Sequence, residues 1–154
     1  MNDRAEANLF RAPPIFRDYD IVPLQILAFT AERQEFGAGE EIFSQGKKTR
    51  AAYLVQAGQV RLVASGEDIG IAETGALLGE IGMIGSGTYS ITAIAMDMVS
   101  TLRISRELFL KVVREYPEFG KMVIRNLGDR LDASVRELEA VRIMLNRSRN
   151  FSDL

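Results

Sequence analysis

The sequence predicts a mainly β domain with flanking helices: a small antiparallel barrel or jelly roll followed by one long amphipathic helix. Three observations carry that expectation. Between about Phe36 and Ile104, short runs rich in β-branched residues alternate with Gly-containing breaks at the spacing of a closed all-β unit. From Ser105 onward the apolar residues recur at helical rather than alternating intervals. The chain has 154 residues, enough for one domain with its own core and too few for two of ordinary size.

The elements follow in order. Residues 1–20 hold Arg11, Pro13 and Pro14 among mixed charges and read as an N-terminal arm. From Val22 to Ala31 the spacing of Leu24, Ile26, Leu27 and Phe29 fits a short helix, with Pro23 tolerated in its first turn. Breaks at Gly37 to Gly39, Gln45-Gly46, Ala57-Gly58, Ser65-Gly66 and Gly85-Ser-Gly87 then delimit strands. The expected strands are Glu41–Phe43, Ala52–Gln56, Gln59–Ala64, Ile69–Ala72, Ser90–Met96 and Val99–Ile104. Ala57-Gly58 has the length of a tight hairpin, and Ser65-Gly66-Glu67-Asp68 is expected to form the next. Ser105 is placed to cap a helix through Glu115, with Leu108, Val112 and Val113 on its apolar face.

Pro117 interrupts that helix and can open another, running to about Arg147. Ile124, Leu131, Leu138 and Leu145 recur every seven residues, and Leu127, Ser134 and Val141 fill the alternate seam positions. Arg130, Arg136, Glu137 and Glu139 flank the stripe. Near its start the stripe can pack on the barrel. Beyond Leu131 so small a barrel cannot cover it, and a parallel homodimer through this seam is expected. The domain is thus expected to span 21–147, with the long helix at about 117–147 and a polar tail at 148–154.

Composition excludes much chemistry. The chain contains no cysteine and no histidine. That removes thiolate zinc sites, iron–sulfur clusters, the usual haem ligand, cysteine nucleophiles and the Ser-His-Asp triad. Asp and Glu are scattered over turns and helix faces, so neither an enzyme nor a metal site is expected. The net charge of −2 offers no global footprint for nucleic acid or an anionic membrane surface. No apolar run approaches a membrane span, and Met1 to Asn8 contain no apolar signal region. A cytoplasmic location is expected.

The segment richest in site chemistry runs Gly75-Ala-Leu-Leu-Gly79-Glu80-Ile81-Gly82-Met83-Ile84 and on to Tyr89-Ser90-Ile91-Thr92-Ala93. A strand ending at Gly79-Glu80, one helical turn and a Gly-rich loop can direct free N–H groups inward as an anion cradle. The same pattern also suits a purely structural loop. The order of motifs adds to this. Phe36-x-x-Gly39-Glu40-x-Ile42-x-x-Gln45-Gly46 precedes Tyr53-Leu54-Val55-x-x-Gly58-x-Val60-x-Leu62. Gly79-Glu80, Ser90-Ile-Thr-Ala93 and the run from Ser105 through Phe109 to Pro117 complete it. Together they resemble the cyclic nucleotide-binding domain of CRP/FNR-like regulators, kinase regulatory subunits and gated channels.

That resemblance implies a signal-transduction sensor whose barrel binds a small effector and whose C-terminal helix reports occupancy to an unidentified output protein. It implies cyclic AMP or cyclic GMP as effector, with no metal, haem or iron–sulfur cofactor. By the same resemblance Gly79 and Glu80 match the family's Gly-Glu, with the Glu accepting from a ribose hydroxyl. Ile81, Gly82 and Ile91 flank the ligand, and Ser90 matches the hydroxyl residue after the phosphate arginine. Ser134 stands either where bacterial members turn a hydroxyl towards the base or as a small polar residue of the seam. Members that read DNA carry a helix-turn-helix after the long helix, so a stand-alone sensor without nucleic-acid binding is expected.

One position departs from the pattern. Where the family carries the phosphate arginine, this chain carries Tyr89. A guanidinium offers a bidentate, charge-assisted grip, whereas a phenol offers one neutral donor. Nucleotide binding is therefore expected to be weakened, and Lys47, Lys48 or Arg50 either supplies charge instead or forms a solvated turn. A ligand-free dimerisation or protein-interaction module of the same fold is the alternative.

Overall fold

The computed structural model of the chain describes residues 21–84, 87–123 and 125. The arm, the seam residues Ile124, Leu127, Leu131, Ser134, Leu138, Val141 and Leu145, and the tail lie outside the described residues. Helix α1 (Ile21–Thr30) leads into β1 (Glu32–Phe36), β2 (Glu41–Phe43), β3 (Ala51–Ala57), β4 (Val60–Ala64), β5 (Glu67–Ala72) and β6 (Leu77–Leu78). A short helix α2 (Glu80–Ile84) separates these from β7 (Thr92–Ala95) and β8 (Val99–Ser105), and α3 (Arg106–Glu115) follows. Residues 117–123 are again helical after the break at Tyr116.

The strands form two four-stranded antiparallel sheets, in the orders β1-β8-β3-β6 and β2-β7-β4-β5. The apolar run of β3 is continuous because both of its faces are covered. Ala51, Tyr53 and Val55 point between the sheets, where they meet Phe36, Phe43, Val60, Leu78, Tyr89, Ala93 and Val99. Ala52 and Leu54 point the other way, together with Leu102 and Ile104 of β8. There they meet Leu24 and Leu27 of α1, Phe109 and Val112 of α3, and Phe119 and Val123 of the next helix. One sheet therefore separates two cores, with α1, α3 and the helical residues 117–123 on one side of it.

Three expectations need correction. Phe29 does not belong to the buried face of α1: it is 74% exposed, and the face is formed by Leu24, Leu27 and Ala28 instead. The Glu67-Asp68 pair is not turn but the start of β5. Ser65 (φ 51°) and Gly66 (φ 81°) alone reverse the chain, as a two-residue hairpin with both φ positive requires. Strand β1 was not expected, and β6, expected only as a strand ending at Gly79-Glu80, is Leu77–Leu78. Strand β1, Glu-Arg-Gln-Glu-Phe, buries only Phe36 and is held as an edge by backbone pairing to β8. Strand β6 has two residues, too few to show an alternation.

Ser105 ends β8 with extended backbone and accepts a hydrogen bond from the Leu108 amide at 3.1 Å, the N-cap of α3. The same residue thus closes the sheet and starts the helix that covers it. Replacing it by Ala (S105A) should lower stability by about 1 kcal/mol in urea-induced unfolding. An unchanged midpoint would mean that packing of Phe109 and Val112 alone fixes the start of the helix.

Candidate functional site

The site grows from the short strand β6. Beyond Leu78 the chain turns at Gly79, whose φ of +84° lies in the left-handed region. The turn delivers Glu80 to the first position of α2, with its side chain 6% exposed. Gly82, two residues along the helix, is required by close approach. A Cβ there would lie 2.0 Å from Thr49 Oγ1 and 2.8 Å from the Thr88 carbonyl oxygen. Strand β7 then begins after Tyr89, Ser90 and Ile91, so α2 and this re-entry form two sides of one cavity.

The cavity has a volume of about 220 Å³. It brings together seven of the residues singled out in the sequence: Gly79, Glu80, Ile81, Gly82, Tyr89, Ser90 and Ile91. Ser134 lies outside the described residues. Sequence reasoning missed the opposite wall, formed by Phe43 of β2, Leu62 of β4, Ile69 of β5, and Leu77 and Leu78 of β6. Their only signal was apolar character within short strands, which marks core positions and cavity walls alike. Lys47, Lys48 and Arg50 are exposed and none of them lines the cavity. Arg61 faces Asp68 at 3.6 Å on the exposed side of β4.

Tyr89 occupies the position of the expected arginine and is turned away from that role. Its hydroxyl donates to the Ala51 carbonyl oxygen at 2.8 Å and accepts from the Ala51 amide at 3.4 Å. The reason lies in the sheet: β6 pairs only with Tyr53 and Leu54 of β3, so Ala51 is beyond its reach. The phenol completes the ladder that a longer strand would have completed. Its ring stacks on Phe43 at 4.2 Å and 12°, and Phe43 in turn stacks on Tyr53 at 6.0 Å. The backbone is pinned as well, since Tyr89 N–H donates to the Lys47 carbonyl and the Gly46 amide donates to that of Tyr89. A Cβ on Gly79 would stand 3.0 Å from the ring. Burial raises the Tyr89 phenol above its ordinary pKa, so it is a neutral group throughout the physiological range.

Chemically, the arrangement can hold a small molecule between apolar walls, beside one carboxylate and one serine hydroxyl. Among the described residues no three His, Cys, Asp or Glu side chains stand together as a metal-binding group. No helix among the described residues is long and apolar enough to cross a membrane.

A Gly-Glu turn, a one-turn helix and a return strand within a two-sheet barrel define a cyclic nucleotide-binding type of sensor fold. The sequence profile of the cyclic nucleotide-binding domain matches residues 33–116, more than half of the chain, and the chain belongs to that family. It is 28% identical over 134 residues to the cyclic AMP receptor protein of Thermus thermophilus, a match covering 84% of this chain and 60% of that protein. The crystal structure of the catabolite activator protein of the same organism superposes with a TM-score of 0.72 at 28% identity, over 86% of this chain and 63% of that one. A cyclic nucleotide-binding-like protein from Brucella abortus gives a TM-score of 0.63 at 29% identity, over 71% of this chain and 98% of that one. The sensor domain of the regulator DNR from Pseudomonas aeruginosa shares the fold, with a TM-score of 0.70 at 20% identity over 88% of this chain and 94% of that one. A lysophospholipase, nte1 of Aspergillus terreus, is 26% identical over 118 residues, 71% of this chain and 8% of that protein. The chain therefore spans 60% and 8% of the lengths of these two curated relatives.

Two outcomes follow from this geometry. Tyr89→Phe leaves the buried Ala51 amide and carbonyl without their partner and should lower stability by about 1–3 kcal/mol. The folded-state pKa of Tyr89 is raised, so its stabilising contribution is complete below the unfolded value of 10.0 and is lost as pH rises through the folded value. The stability gap between wild type and Y89F should accordingly narrow above about pH 10. A gap independent of pH up to 11.5 would contradict it. Gly82→Ala should destabilise the fold by about 1–3 kcal/mol through overpacking against Thr49 and Thr88. A neutral substitution would mean that α2 is free to move away from β3.

Proposed function

We propose that this domain is a non-catalytic regulatory sensor that binds a small effector in the Gly79–Ile91 cavity and passes occupancy to its C-terminal helix. The observation that supports it most is the convergence of Gly79, Glu80, Ile81, Tyr89, Ser90 and Ile91, distant in sequence from Phe43 and Leu62, on a single cavity. The route outward is short. Met83 of α2 packs in the same core cluster as Phe109 of α3 and as Phe119 and Val123 of the following helix. A ligand that shifts α2 would press on those residues, and through them on the helix beyond 123. The heptad seam from Ile124 to Leu145 suits a homodimer as the unit that reads such a shift. We read the location as cytoplasmic and the output as passing to a protein partner yet to be identified.

Effector binding is testable by thermal shift of the full chain against a panel of nucleotides, phosphorylated metabolites and uncharged aromatic or aliphatic compounds. At least one compound should raise the melting temperature. Ile91→Trp, which fills the cavity from its partly buried wall, should abolish that rise. Because the chain has no cysteine, a dye on Glu118→Cys at the exposed start of the last described helix reports transmission, and its emission should change on effector addition. If no compound stabilises the wild type, the cavity is a packing feature and the domain acts as a ligand-free dimerisation module, as the Tyr89–Ala51 bond would allow.

A further inference from the structure

We infer that the domain carries a second small-molecule site, under α3, which takes an organic monoanion with an apolar body of about two rings. The site lies where α3 crosses the helical residues 117–123. At the crossing Gly120 comes against Val113, and a Cβ on Gly120 would stand 2.5 Å from Val113 Cγ1. Beside that contact the two helices and the end of α2 leave a cavity of about 210 Å³. Its apolar walls are Met83 of α2, Phe109, Leu110 and Val113 of α3, and Val123. Arg106, the first residue of α3, is the one charged group among the described residues that line it. No described residue is shared with the lining of the Gly79–Ile91 cavity, so this site does not rest on the effector reading.

The chemistry of the ligand follows from the arginine. Its guanidinium is partly buried and already oriented, because Nε donates to the Met83 carbonyl oxygen at 3.3 Å. No described residue accepts from its two Nη nitrogens, which remain donors for a ligand. No described carboxylate lines the cavity, and Glu107, next along α3, is exposed and outside the lining. A guanidinium beside apolar walls and without a counter-charge is the complement of an anion, and a carboxylate can bridge the two Nη nitrogens. Since Nε is fixed, little rotamer freedom is lost on binding. Engineered apolar cavities of about 150 Å³ hold one benzene ring, so this larger one admits a two-ring body. A cation would be repelled, and a neutral molecule would gain the apolar contact alone. The bound anion would touch Met83, α3 and Val123 at once, and so brace α2 against the helix beyond Pro117.

Two probes of similar shape and different charge decide the matter: 2-naphthoate and 2-naphthol, titrated calorimetrically into the full chain at pH 7. Naphthoate should bind about tenfold or more tightly than naphthol. Arg106→Gln should bring the two within about threefold of each other by weakening naphthoate alone. Leu110→Glu, at the exposed rim, should weaken naphthoate by at least about threefold through like charge without disturbing the core. Ile91→Trp, which closes the other cavity, should leave naphthoate binding in place. Naphthol binding as tightly as naphthoate, or naphthoate affinity unchanged in Arg106→Gln, would overturn the inference. Loss of naphthoate binding in Ile91→Trp would also overturn it and would favour the effector reading, because the probe would then occupy the Gly79–Ile91 cavity. Absence of naphthoate binding to the wild type would overturn it too, and would leave the effector reading to its own thermal-shift panel.

Discussion

The bond between the Tyr89 hydroxyl and the backbone of Ala51 holds the candidate site together. It exists because β6 is only two residues long and leaves the start of β3 without a partner strand on that side. A buried amide and carbonyl left without partners would destabilise the barrel by an amount comparable to the net worth of several hydrogen bonds. A side chain reaching in from the β7 entry removes that penalty. Once committed there, the ring must lie against Phe43, and Gly79 must remain glycine to admit it. The shape of the cavity follows from these contacts, as does its lack of a positive charge at the position where the family places one.

The same sheet links the site to the helices. Strand β3 carries Tyr53 into the aromatic stack beside the cavity and Leu54 into the core beneath α1 and α3. Helix α2 has one buried residue, Met83, in that second core, while Ile81 lines the cavity and packs against the second core as well. A displacement of α2 therefore cannot be absorbed locally, because close-packed interiors transmit rather than damp such shifts. Gly82 tightens this coupling, since Thr49 and the Thr88 carbonyl leave no slack on its inner side.

Much of the fold was legible in the sequence, for a physical reason. Strands buried on at least one face carry β-branched and aromatic residues, and the turns that join them need glycine where φ is positive, as at Gly58 and Gly66. Strand β1 was not legible because an exposed edge held by backbone bonds can take almost any polar residue. Phe29 misled because apolar residues on a short helix need not share its buried face. At the site, one strand-turn-helix segment and the return to β7 were readable from Gly79-Glu80 and Tyr89-Ser90, but the far wall was not. Phe43, Leu62 and Ile69 come from three strands whose convergence depends on sheet order, which no local pattern encodes. The orientation of Tyr89 was equally hidden, since it depends on the length of β6.

The domain thus keeps the architecture of its family, with Tyr89 bonded to Ala51 where the resemblance places a phosphate arginine. A phosphate entering this cavity would have to draw Tyr89 away from Ala51 to gain its one neutral donor. The measurement that tests this most directly is a calorimetric titration of the ligand-free full chain with cyclic AMP. The expected result is no saturable binding up to millimolar nucleotide. Micromolar binding would contradict the account, because it would require a cationic phosphate grip that no described residue lining the cavity provides.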